Sequence, residues 1–378
     1  MNFSKLDAYL AKLPACGIPG CALAVSHRGE VIYRGSAGFA DAEQTRPVAQ
    51  DDLYFVFSIS KITTCVAAMR LVERGLLGLD DPVSKYLPAY ARLTVKNAKG
   101  KPELAQNEMT VRHLFTMTGG LNYDLNAQPL VRMRRNPDAG TLDFVNALAE
   151  GMLDFEPGTK FQYSLCHDVL GAVVEVVSGM RFADYVQKNI FDPLGMTETG
   201  YHLPAELLPR MSSIYRFTHG VMKSTPIPTE TCNAYVLNPN FDSGGAGLYS
   251  SANDQIKLMT TLACGGTTPD GYSLLRPETI AMMGKNQLSD AVHPTFLSSR
   301  LYGYGWGLCG RAHIDPVVSE SRSSIGEFGW DGAAGAFALV DPKKQIAFYF
   351  ATHVMGCQYV YHLVHPTLRN LVYECIED

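Results

Sequence analysis

Ser58 and Lys61 stand three residues apart in Phe57-Ser58-Ile59-Ser60-Lys61, and no other serine of the chain has a lysine at that spacing. On a helix, positions i and i+3 share a face, so the hydroxyl and the amine would be neighbours. A serine oxygen is a weak nucleophile until a base takes its proton. A lysine held among apolar neighbours, or near another positive group, can lose its own proton and become that base. The free N–H groups of a first helical turn would also stabilise negative charge beside Ser58. Alone, the spacing fits a plainer reading, a serine N-cap followed by a solvated lysine.

A serine–lysine pair needs a further group to pass protons to the leaving group, and N–H donors for an oxyanion. Tyr163, in Phe161-Gln-Tyr-Ser-Leu165 just ahead of a helix, could point into a cleft. Near the Lys61 cation its phenol is expected to become more acidic and usable as a base. The competing reading is a tyrosine packed at a helix start. Gly329-Trp330-Asp331-Gly332-Ala333-Ala334-Gly335 leads into a strand, where small residues let a substrate lie along the backbone; otherwise it is a bulge or a tight turn. His167-Asp168 raises the possibility of a Ser-His-Asp triad. No Gly-x-Ser-x-Gly elbow supports one, so His167 is expected in the core or behind the site, and His353 in packing. His362-x-x-His365 has no cysteine or carboxylate nearby in sequence, and no metal or cofactor is expected.

The elements that must position these residues follow from pattern. Residues 3–13 read as a helix stopped by Pro14 and Gly17. Cys21–Ser26 and Val31–Ser36 read as a hairpin around His27-Arg28-Gly29-Glu30. The helix from Ser58 to Gly75 is apolar nearly all round and therefore central. From Pro82 to about Leu297 helices dominate: Thr110–Met117, Asp168–Ser178, Asp254–Cys264 and Pro277–Met283. Asp242-Ser-Gly-Gly-Ala-Gly-Leu248 is a tight turn, with no phosphate-loop lysine after it. Strands return at Tyr302–Leu308, Ala334–Val340 and Gln345–Ala351, and a helix from Gln358 to Cys375 closes the chain. The expected class is α+β: an antiparallel sheet built from both chain ends and flanked by helices, with an inserted, mostly helical sub-domain. The expected division is 1–81 with 296–378 against 82–295, with the active site in the cleft between them.

Composition narrows the function. The chain has 378 residues, 46% hydrophobic and 18% charged, which describes a globular enzyme and excludes disorder. A net charge of −5 offers nothing to nucleic acid or an anionic membrane. Met1–Leu13 carries Lys5, Asp7 and Lys12 in place of a signal peptide's apolar core, and no apolar run is long enough to span a bilayer. A soluble, cytoplasmic protein is expected. The nine scattered cysteines, Cys232 among them, read as mostly buried thiols of a reducing compartment.

Five segments in order resemble the serine β-lactamase and penicillin-binding-protein superfamily, above all its class C β-lactamase and family VIII carboxylesterase branch. They are Ser58-Ile-Ser-Lys61, Thr110-Val-Arg-His-Leu-Phe-Thr-Met-Thr-Gly-Gly-Leu121, Phe161-Gln-Tyr163-Ser164 with Leu170-Gly171, Gly244-Gly-Ala-Gly-Leu-Tyr-Ser-Ser251, and Gly329–Gly335 with Asp341-Pro342. The resemblance spans nearly the whole chain. It implies Ser58 as the acylated nucleophile, Lys61 as its activating partner, Tyr163 as proton shuttle, and the N–H groups of Ser58 and Ala333 as the oxyanion hole.

Two departures bear on substrate. Tyr163-Ser164-Leu165 lacks the asparagine of the family's Tyr-x-Asn, and Trp330-Asp331-Gly332 replaces Lys-Thr-Gly. A substrate carboxylate within ~4 Å of Asp331 would be repelled by about 1 kcal/mol even in a wet cleft. Penicillins, cephalosporins and D-alanine-ending peptides are thereby disfavoured. A tryptophan resembles the Trp-x-Gly of family VIII esterases and suits a neutral acyl or alkyl group. Hydrolysis of small or medium carboxylic esters is the leading expectation. The alternatives are a D-amino-acid amidase or aminopeptidase with Asp331 holding an ammonium, weak β-lactam hydrolysis, or a non-catalytic binding protein. The size of the acyl pocket is expected to depend on the loops around Tyr123, Met117 and Tyr235.

Overall fold

The computed structural model describes residues 1–97, 99–228, 233, 235–297 and 301–377; Cys232 lies outside them. Strands β1 (Gly20–His27) and β2 (Glu30–Gly38) form the expected hairpin. Its two-residue loop, Arg28-Gly29, has positive φ at both positions (53° and 87°), the mirror-image turn whose twist matches the flanking strands. Strands β3 (Tyr304–Gly307), β4 (Gly310–His313), β5 (Phe328–Asp331), β6 (Phe337–Asp341) and β7 (Ile346–Thr352) complete a seven-stranded antiparallel sheet in the order β3-β4-β5-β6-β7-β1-β2. The two parts of the chain meet at β1 and β7, where Cys21 pairs with Thr352 and His27 with Ile346.

Five helices bear on the site: α1 (Ser4–Leu10), α2 (Ser60–Glu73), α3 (Cys166–Ser178), α4 (Ala252–Ala263) and α5 (His365–Glu377). Alternation along the central strands sorts them into layers. Cys21, Leu23, Val25, Phe348 and Phe350 pack with Leu6, Leu10, Leu368 and Val372 of α1 and α5. The intervening Ala22, Ala347, Tyr349 and Ala351 join the other core, with Leu258, Met259 and Leu262 of α4. Every residue of α2 from Ser60 to Leu71 is buried, as its apolar pattern required, and α2 packs against α3. The mixed α+β class read from the sequence is present. No described helix is long and apolar enough to cross a membrane.

Several elements differ from expectation. Segment 82–297 also holds strands, notably the pair Ile214–Thr218 and Lys223–Ile227, and Tyr249–Ser251, which pairs with Leu53–Phe55. Helix α4 falls within 82–295 yet lies on the main sheet. The closing helix begins with a wide turn, Val360–Val364, in which the His365 N–H reaches back to Val360 O. Strand β4 was unexpected because Arg311 and His313 are buried on it and interrupt the apolar signature. Arg311 is 4% exposed and pairs with fully buried Glu327 at 3.0 Å. Glu327→Ala is expected to destabilise the fold by about 3–5 kcal/mol in denaturant unfolding, because it leaves a buried cation without its partner. A loss below about 1 kcal/mol would show that the guanidinium finds water instead.

Candidate active site

The nucleophile segment is fixed at both ends. Leu53–Phe55 is tied to Tyr249–Ser251, and the Val56 N–H donates to Leu248 O at 3.1 Å. Ser58 then sits in a single 3-10 turn, Phe57–Ile59, that feeds α2, and its hydroxyl caps no helix. Phe57 adopts φ 47°, a left-handed conformation costly for an aromatic residue. Its fully buried ring, with Phe55, Tyr235 and His353 around it, holds it there. The strain lies directly before the residue predicted to react.

Lys61 is 2% exposed. Its Nζ lies 3.1 Å from Ser58 Oγ and 3.4 Å from the Tyr123 hydroxyl, and donates to Gly245 O at 2.7 Å. Burial lowers its pKa to about 8, with the Asp168 carboxylate opposing the shift. Asp168 acts from the start of α3, where Oδ1 accepts from Ser243 Oγ (2.6 Å) and the Gly245 N–H (3.2 Å). The glycine-rich stretch 242–248 is the tight packed turn expected. A Cβ on Gly244 would sit 2.5 Å from His167 O, so only glycine lets the turn approach α3 closely enough to present Gly245 O to the amine.

Tyr163 stands on a loop bolted on either side. The Phe161 N–H donates to Thr295 Oγ1 (2.8 Å), the Gln162 N–H to Met117 O (2.9 Å) and the Leu165 N–H to Asn122 O (3.2 Å). Trp330 Nε1 donates to the Tyr163 hydroxyl at 3.0 Å, with the two rings stacked at 5.5 Å. The expected acidification of this phenol does not occur. Burial pushes its pKa up, and the relief from the Ser58 hydroxyl and the Trp330 N–H is smaller. Desolvation of the phenolate outweighs a lysine that is itself easily neutralised, so the phenol keeps its proton.

Ser58, Tyr163, Trp330, Asp331, Gly332 and Ala333 all line one cavity of about 660 Å³, with Lys61 directly behind Ser58. Tyr123 and Tyr235 line it as well, but Met117 does not: it is fully buried, and its Sδ accepts from Ser164 Oγ. Phe161, Phe296, Leu301 and Tyr361 complete the wall and were not anticipated. Asp331 is 6% exposed, and its Oδ2 lies 3.8 Å from His365 Nδ1. His167 belongs to the core: it is fully buried, its pKa is lowered to about 3 by burial, and Nε2 lies 3.3 Å from Phe115 O. His353 is buried too, with Nδ1 at 3.0 Å from Ser212 O. The eight described cysteines are free thiols, and no group of three or more His, Cys, Asp or Glu among the described residues could hold a metal.

A family model described as Beta-lactamase matches residues 6–358. Esterase EstB of Burkholderia gladioli is 30% identical over 366 residues, covering 89% of this chain and 87% of the esterase. Protein Rv1367c of Mycobacterium tuberculosis (strain ATCC 25618 / H37Rv) is 28% identical over 373 residues, covering 93% and 90% of the two chains. Among solved structures, EstCE1, described as a hydrolase with promiscuous acyltransferase activity, superposes with a TM-score of 0.80 at 26% identity over 98% of both chains. Unliganded simvastatin synthase (LovD) from Aspergillus terreus shares the fold, with a TM-score of 0.78 at 22% identity over 99% of this chain and 98% of that one. Matched by the family model over residues 6–358 and 30% identical to a relative over most of both chains, this chain belongs to the beta-lactamase family.

Proposed function

We propose that the protein is a serine hydrolase that cleaves small or medium carboxylic esters through an acyl-enzyme on Ser58. One observation carries the choice of substrate: among the described residues no lysine or arginine lines the cavity, and Trp330, which the resemblance aligns with the family's carboxylate-binding lysine, is in its wall. Aromatic walls from Tyr123, Phe161, Phe296 and Trp330 suit a neutral acyl or alkyl group. The similarity to esterase EstB supports the same reading.

In this mechanism neutral Lys61 takes the Ser58 proton as Oγ attacks the ester carbonyl carbon. The carbonyl oxygen becomes an oxyanion held by the N–H groups of Ser58 and Ala333, neither of which donates to a described group. Collapse re-forms the carbonyl and breaks the C–O bond to the alcohol. Tyr163 gives its phenol proton to the departing alkoxide and regains one from the Lys61 ammonium, while the Trp330 N–H steadies the phenol oxygen. Water then attacks the acyl-enzyme, its proton returns to Ser58, and the acid leaves. Tyr163 is thus a relay and not a standing base.

The cavity draws Tyr123, Phe161, Tyr163 and Tyr235 from segment 82–295, and its other lining residues from 1–81 and 296–378. This supports an active site at the seam of the two segments. Asp331 in the wall favours a second reading, an amide substrate whose ammonium it would hold. Hydrolysis of a p-nitrophenyl ester series beside a chromogenic cephalosporin tests the proposal. Esters are expected to turn over at least about 100-fold faster, the order of discrimination an apolar pocket can supply. Comparable rates would refute the argument from Trp330.

A further inference from the structure

We propose that Tyr361 is a positioning residue for the oxyanion loop, which aims and polarises the Ala333 N–H through the opposite end of that N–H's own peptide group. The proposal rests on the acyl-enzyme reading above. Gly332 C=O and Ala333 N–H belong to one planar trans peptide, so they point in opposite directions. The Tyr361 hydroxyl lies 2.9 Å from Gly332 O and 2.9 Å from Ala333 O, and donates its one proton to either. A bond to Gly332 O makes the Ala333 N–H a stronger donor, because hydrogen bonds in series polarise one another in a low-dielectric site. A bond to Ala333 O fixes the next peptide, so both positions of the proton hold Ala333 in one orientation.

The surrounding bonds leave this contact a defined task. The Gly332 N–H donates to Ala336 O, the Gly335 N–H to Gly332 O and the Val354 N–H to Ala334 O, each at 2.9 Å. His365 Nε2 donates to Gly335 O at 2.9 Å. Among the described groups the Ala333 N–H has no acceptor, and Ala333 lines the cavity. A Cβ on Gly332 would meet Val56 O at 2.6 Å, so the loop is seated directly against the turn that carries Ser58. Its two N–H donors therefore keep a fixed separation only if the loop cannot tilt, and the Tyr361 bond opposes tilting.

Tyr361 owes its place to the wide turn Val360–Val364, a geometry frequent at functional sites. Its ring meets His365 edge-on at 5.3 Å, and His365 is stacked on Phe337 at 4.3 Å, so the hydroxyl is delivered on a braced side chain. The C-terminal helix thus reaches the oxyanion loop through this hydroxyl.

Tyr361→Phe removes one oxygen and keeps the ring. It is expected to lower kcat for a p-nitrophenyl ester about tenfold, less than the 10²–10³ lost with a whole oxyanion donor, with KM within about twofold of wild type. An alkylboronic acid forms a tetrahedral adduct with Ser58 Oγ and places a boron-bound oxygen where the oxyanion forms; its affinity is expected to fall by about the same factor as kcat. Unchanged kcat and unchanged boronate affinity would overturn the proposal, and so would a kcat loss accompanied by a lower Tm and an unaltered boronate affinity. Ser58→Ala, assayed in parallel, separates the two readings. Turnover lost there but intact in Tyr361→Phe overturns the positioning role alone, whereas turnover surviving in Ser58→Ala overturns the nucleophile assignment beneath it.

Discussion

Ser58→Ala loses ester turnover by at least about 10⁴-fold, the scale seen when a covalent nucleophile is removed. The loss is chemical and not structural. The Ser58 hydroxyl contacts Lys61 and the phenols of Tyr123 and Tyr163, all of them groups of the cavity, and the unusual backbone of the turn is maintained by the buried ring of Phe57. The variant should therefore unfold at the wild-type temperature. A fluorophosphonate reagent should add one equivalent to the wild-type protein, at Ser58 by peptide mass mapping, and none to the variant. An adduct on another residue, or turnover that persists, would move the nucleophile elsewhere. An intact wild-type protein that accepts no reagent would favour a binding role.

Lys61→Met lowers kcat/KM by about 10³-fold, the middle of the range for a general base. Two further readouts identify the cause. With the Lys61 pKa lowered to about 8, the amine is mostly charged below that pH and mostly neutral above it, so wild-type kcat/KM should rise through about pH 8 and level off. Lys61→Met should lose that limb. The Lys61 contribution to stability should rise with pH as activity does. A group whose pKa falls from ~10.4 unfolded to about 8 folded carries a penalty of about 3 kcal/mol wherever both states hold the charge, that is below pH 8. The penalty fades as pH rises from 8 towards 10. Methionine removes it, while leaving Asp168 without a nearby cation, so the Tm of Lys61→Met at pH 7 should equal or exceed that of the wild type. A markedly lower Tm would make Lys61 a structural residue first.

The site was legible where local chemistry and spacing coincide. Ser58 and Lys61 meet because a short turn leads into a helix, and the hairpin at Arg28-Gly29 was signalled by a glycine between two apolar runs. Tyr163 and Trp330 were each identified, but not their contact, because it joins positions 167 residues apart. The protonation of Tyr163 was misjudged for the same reason: sequence shows the nearby cation and not the depth of burial, which dominates. Strand β4 was hidden by Arg311 and His313, whose partners Glu327 and Ser319 arrive from other segments. Tyr361 gave no signal at all. A wide turn and an ordinary helix share the same apolar spacing over five residues, and only the fold shows what the hydroxyl touches.

The pairing of β1 with β7 has a consequence for how the enzyme comes into being. Residues 21–27 find their neighbours at 346–352, so the central ladder closes a loop of more than three hundred residues. Such long-range pairing makes folding slow, because the entropy of closure is lost before the contacts that repay it are made. On the ribosome the Ser58–Lys61 turn emerges early, Tyr163 later, and Trp330 and Tyr361 near the end. The lysine is a base only when buried, and the oxyanion loop is braced only when the last helix docks. A nascent chain therefore carries its nucleophile unarmed until the C-terminal strands and helix have emerged and docked.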